Sequence, residues 1–120
     1  MSDYVILTNN PSVAAAYPEI SRFIEGGVAD IFVAVRDAVH KGGQIISHPL
    51  SGSIKPNETP YKSVVIADIS GPLDIKSLSI IEDAVGMLNR LPNKERDYDE
   101  SILEDFRIID LDHINSALGI

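Results

Sequence analysis

The sequence predicts an α/β fold: one small layered domain with a mostly parallel sheet of about four strands flanked by helices. Two observations carry this. Short β-rich apolar runs, each stopped by turn residues, alternate with stretches of helical period, and that alternation is the pattern of βαβ units. The chain has 120 residues, one domain's worth, so residues 1–120 are read as a single unit. There is no internal repeat and no low-complexity tract to suggest an array or a linker.

Each element follows from local chemistry. Val5-Ile6-Leu7 is a buried first strand, stopped by Asn9-Asn10-Pro11. Val13 to Tyr17 makes a helical turn with Ser12 as its N-cap and Pro18 as its limit, and Ile20 to Glu25 adds another turn before Gly26-Gly27. Val28, Ile31, Val35, Ala38 and Val39 share one helical face, which predicts a helix from Val28 to Lys41 stopped by Gly42-Gly43. Gln44 to Ser47 reads as a second strand, and Ser63 to Ala67 as the third and clearest. Asp74 caps a helix whose apolar face is Ile75, Leu78, Ile81, Val85 and Leu88, ended by Arg90, Pro92 and Asn93. Residues 93–101 are charged and exposed in this reading. Ser101 to Phe106 forms one more turn, Ile108 to Leu111 a fourth strand, and His113 to Leu118 a closing helix.

Composition narrows the function. Hydrophobic residues are 44% and charged residues 23%, the balance of a globular domain rather than a disordered or fibrous chain. Ten Lys and Arg against 18 Asp and Glu give a net charge of −8. That argues against nucleic acid and against an anionic membrane surface. Without cysteine there is no disulfide, no thiol catalysis and no thiolate metal site. The N-terminus lacks the basic and apolar regions of a signal peptide, so a cytoplasmic location is expected.

Candidate sites gather where strands end, because ligands of open parallel sheets sit at carboxyl ends. The first strand ends in Thr8-Asn9-Asn10-Pro11, the second in Ser47-His48-Pro49, and the third in Asp68-Ile69-Ser70-Gly71-Pro72. Turn residues belong at strand ends in any fold. In a parallel sheet all three clusters would nevertheless share one rim. The segment from His48 to Lys62 is a long loop without periodicity, of a kind that is usually functional. Arg36, Lys41, Lys55 and Lys62 outnumber Asp37 and Glu58 around it, a local excess of positive charge in an acidic chain. Such a loop suits a small anion, a carboxylate or a phosphate. Ser51, Ser53, Thr59 and Tyr61 offer hydroxyls, Gly52 lets backbone approach, and Lys55 and Lys62 supply charge. Asn57 and Glu58 shape the loop or contact an amine, and His48 is a candidate base or orienter. The expected ligand-binding set is thus Asn9, Asn10, His48, Ser51, Gly52, Ser53, Lys55, Asn57, Glu58, Thr59, Tyr61 and Lys62.

No reaction is legible in these residues. Ser51 to Lys55 lacks P-loop spacing, no nucleophile elbow is present, and His40, His48 and His113 lack metal-ligand spacing. Asp110-Leu111-Asp112 resembles a phosphotransferase aspartate pair, but too little chain follows it to build such a site. The acidic stretch 93–112 reads as a solvated face, with a docking surface for a basic partner as the alternative. No catalytic residue, metal or cofactor is therefore assigned.

Thr8-Asn9-Asn10-Pro11, the run from His48 to Ser63, and Ile108-Ile109-Asp110-Leu111 resemble the GrdX family, over nearly the whole chain. The resemblance implies a small cytoplasmic protein accompanying glycine, sarcosine or betaine reductase in amino-acid-fermenting anaerobes, and it implies no catalytic residues. Its partners would be reductase subunits or a small anionic ligand, and the role would be accessory or regulatory. The alternative is a small enzyme acting on an amino acid or acyl phosphate, with His48 as general base and Lys55 or Lys62 stabilising developing charge. A homodimer burying helix faces is a third reading.

Overall fold

Two central strands buried on both faces set the architecture. The computed structural model describes residues 3–51, 54–92 and 97–120. Its elements in chain order are β1 (Tyr4–Thr8), α1 (Pro11–Ala16), β2 (Ser21–Phe23), α2 (Val28–His40), β3 (Gln44–Ile45), β4 (Ser63–Ala67), α3 (Ile75–Arg90) and α4 (Glu100–Ala117). Side chains of a strand point alternately to its two faces. Val5 and Leu7 of β1, with Val64 and Ile66 of β4, meet Ile31, Phe32, Val35 and Val39 of α2 and Ile81 and Ala84 of α3. Ile6 and Val65 point the other way, onto Val13 of α1 and Ile114 of α4. Both faces are thus covered, which is why the central strands read as unbroken apolar runs.

The sheet order is β2-β1-β4-β3. Only β1 and β2 are parallel; β1–β4 and β3–β4 are antiparallel. The class is α/β, but the sheet is mixed and mostly antiparallel, which corrects the parallel sheet expected from the alternation. Parallel neighbours need a crossover, usually a helix, and among the described residues the link from β3 to β4 contains none. Two further expectations fail. Ile108–Leu111 is no strand but the middle of α4, which runs unbroken from its Asp99 cap and joins the two short helical pieces. The fourth strand is instead Ser21–Phe23, which replaces the helical turn expected over Ile20 to Glu25; at three residues this edge strand is too short to show a period. The cap of α1 is Asn10, whose side chain accepts from the Ser12 amide, with Pro11 at the first helical position.

Other signals hold. Gly42 adopts φ 102°, and a Cβ there would lie 2.6 Å from the Gly71 nitrogen, so glycine is required where α2 stops. Asp74 caps α3 through the Ser77 amide at 3.2 Å, and the Ser77 hydroxyl accepts from the Ile45 amide at 2.9 Å, tying α3 to β3. Among the described residues no helix is long and apolar enough to cross a membrane.

Candidate functional site

Because β1 and β3 both run against β4, the ends of β1 and β3 and the start of β4 share one edge of the sheet. The described parts of the 48–62 segment, residues 48–51 and 54–62, meet that edge, where Asn9 holds Pro60 and Lys62 and where α4 contacts Ser51 and Ser63. Asp68 to Pro72, which follows β4, lies at the opposite end. The expected single rim therefore holds for two clusters and not the third.

Asp110 anchors this edge. Its carboxylate accepts from the Ser63 amide at 3.1 Å, the Ser63 hydroxyl at 2.6 Å and the Asn10 side-chain amide at 3.0 Å. Ser63 has one hydroxyl proton, and Asp110 takes it, so Thr8 donates to Ser63 across 2.6 Å. Asn10 also donates to the Arg107 carbonyl at 3.0 Å and caps α1. Asn9 donates to the carbonyls of Gly26 at 2.9 Å and Pro60 at 2.8 Å, and accepts from the Lys62 amide at 2.8 Å. The asparagines do converge with the loop. Both are buried, and protein groups occupy their amides, so they build the edge rather than face a ligand.

Lys62 is buried, 8% exposed. Its ammonium donates to the Ser51 carbonyl at 3.3 Å, and among the described residues that is its one hydrogen-bond partner. An ammonium carries three donors. Burial pushes the Lys62 pKa down, and the Asp110 carboxylate partly opposes the shift. On the neighbouring turn of α4, His113 Nε2 lies 2.8 Å from the Ser51 hydroxyl. Burial and the Lys62 ammonium hold the His113 pKa below its ordinary value, against the pull of Asp110 and Asp112. The lowered pKa favours the neutral ring, in which one nitrogen is an acceptor. Ser51 Oγ also lies 2.7 Å from the His48 carbonyl, so its single proton has two acceptors in reach.

These groups open on a small cavity of about 40 Å³, lined by Ser51, Thr59, Tyr61, Lys62, Asp110 and His113 and closed by Ile54, Phe106 and Ile109. A second, wider groove of about 780 Å³ lies on the other side of the loop. Asn57, Glu58 and Thr59 line it, opposite the start of α2 and the end of α3. Asn57 donates to the Pro92 carbonyl at 2.9 Å, and the Glu58 carbonyl accepts from Tyr98 at 2.8 Å. Tyr61 accepts from Arg107 at 3.0 Å, with the guanidinium 5.6 Å from its ring centre, so α4 holds the loop there as well.

The expected residues therefore divide. Ser51, Thr59, Tyr61 and Lys62 surround the small cavity, while Asn57 and Glu58 belong to the wider groove. Lys55 is exposed and lines neither. His48 is exposed, and its Nδ1 accepts from the Leu50 amide at 3.0 Å, shaping the turn. Gly52 and Ser53 lie outside the described residues. Asp110 and His113 join the site although they are outside the expected set; their signal is the three-residue spacing on one helix, which a strand over Ile108–Leu111 conceals.

The fold and edge define a class: a small α/β protein with a buried lysine facing a serine–histidine pair over a small cavity. The GrdX-like protein family matches residues 5–119, and the chain belongs to that family. No curated protein and no solved structure gave a significant match.

Proposed function

We propose that the protein is an accessory component of the glycine reductase system that binds a small monoanionic carboxylate in the Lys62 cavity. The observation that carries this is the buried Lys62 ammonium, whose described partner is a single carbonyl and which faces a cavity shared with Ser51 and His113. Desolvating an ammonium is costly unless it is paired, so such a group favours an anion. Asp110 makes no salt bridge with Lys62 among the described residues, and its oxygens are engaged by Ser63 and Asn10. Its negative charge nearby disfavours a doubly charged ligand such as a phosphate dianion. The cavity's size suits one carboxylate-sized end group. Membership of the GrdX-like family supports the association with the reductase system.

The test is a titration followed by amide NMR with acetate, glycine, betaine and inorganic phosphate. Acetate or glycine should shift the Ser51, Lys62 and His113 resonances, and Lys62→Met should abolish the shifts. Shifts confined to other residues, or undiminished in Lys62→Met, would refute the reading.

A further inference from the structure

The carboxylate reading accounts for Lys62 but leaves the Ser51–His113 contact without a role. From that contact we infer that the site is also chemically active: Ser51 is a nucleophile and His113 its general base, acting on a small activated acyl compound. Three features support it. The Ser51 hydroxyl lies 2.8 Å from His113 Nε2, within the range of a nucleophile–base pair. Burial, and Lys62 beside it, lower the His113 pKa and so favour the neutral ring, which can take a proton. The pair opens on a cavity also lined by Lys62, whose ammonium is suited to a developing oxyanion.

The step balances without a co-reactant other than water. Ser51 Oγ bonds to the acyl carbon as its proton passes to His113 Nε2, and the bond from that carbon to the leaving group breaks. His113 returns the proton to the leaving group. Water then attacks the acyl-serine, giving a proton to His113, and the carbon–Oγ bond breaks as Ser51 is reprotonated. The products are a carboxylic acid and the protonated leaving group. The Ser51 proton needs only to rotate from the His48 carbonyl, since both acceptors are already within hydrogen-bond reach.

The inference rests on the carboxylate reading for one point, that the acid released is what the Lys62 cavity holds. The experiment treats the full chain with a serine-selective fluorophosphonate and, separately, with p-nitrophenyl acetate. Adducts are mapped by peptide mass spectrometry. The expected result is one fluorophosphonate adduct per chain, on Ser51, with p-nitrophenol release above the uncatalysed rate. His113→Gln should slow labelling by about a hundredfold, the usual contribution of a general base, and circular dichroism of that variant checks its fold. No adduct, or an adduct on another residue, overturns the inference whatever the variants do. Acetate binding measured on the same preparation separates the two claims. Binding without a Ser51 adduct removes the nucleophile and keeps the carboxylate site. A Ser51 adduct without acetate binding keeps the nucleophile and removes the carboxylate site.

Discussion

Asp110 gives the sharpest stability prediction, because one buried carboxylate joins α4, β4 and the cap of α1. It accepts three hydrogen bonds, at 3.1, 2.6 and 3.0 Å, and is 8% exposed. Hydrogen bonds to a charged group contribute about 1.5–3 kcal/mol each, and bonds sharing one acceptor do not add in full. Asp110→Asn keeps the shape and one acceptor but turns an amide N–H₂ towards two donors. Ser63 can rotate to accept, whereas the Asn10 amide has no proton to withdraw. The expected loss is about 3 kcal/mol, the cost of one lost charge-assisted bond plus one stranded buried donor. For a chain of this length that is roughly a 10 °C fall in Tm. Asp112, two residues on and exposed, is the control: Asp112→Asn should change stability by no more than about 0.5 kcal/mol. Urea unfolding at pH 7 measures both variants. If Asp110→Asn and Asp112→Asn unfold alike, the network does not hold α4 to the sheet and the placement of His113 loses its basis.

Two other outcomes follow from the same contacts. Asn9→Ala strands the Lys62 amide and the Pro60 and Gly26 carbonyls, so it should cost about 2 kcal/mol and speed hydrogen exchange at Lys62; unchanged exchange would deny that Asn9 clamps the loop. His113 has its pKa lowered in the fold, so the unfolded chain binds the extra proton more tightly, and stability falls as pH drops through the ordinary value of 6.5 towards the lowered one. Its environment includes Lys62, Asp110 and Asp112, and His113→Gln should flatten that slope in unfolding curves taken between pH 7.5 and pH 5; an unchanged slope would contradict the assignment.

Much of the fold is legible in the chain. The 3-and-4 spacing of α2 and α3, with Gly42 after one and Asp74 before the other, sets two helices nearly to the residue. The strand Ser63–Ala67 stands out because it is buried on both faces. Strand direction was not legible from alternation alone, since a sheet's hydrophobic pattern is the same whichever way a neighbour runs. The lack of helical periodicity from His48 to Lys62 is the clue that the sequence offers. Ile108-Ile109 looks like strand because β-branched residues favour it. Packing overrode that preference, since Asp110 and Ile114 sit one turn apart facing the sheet. Half of the site followed from the loop itself, where Lys62 adjoins a fully buried strand. The other half comes from α4, which is brought to the loop from far along the chain, and local pattern does not show such a meeting.

Anion binding at Lys62 is tested most directly by calorimetric titration of acetate into the wild-type protein, Lys62→Met and Lys55→Met. Lys62 is buried at the cavity and Lys55 exposed away from it. Wild type and Lys55→Met should bind alike, and Lys62→Met should show no heat of binding while unfolding at or above the wild-type temperature, because a desolvated ammonium has been replaced by an apolar group of similar length. Acetate binding retained in Lys62→Met, or lost in Lys55→Met, would contradict the account.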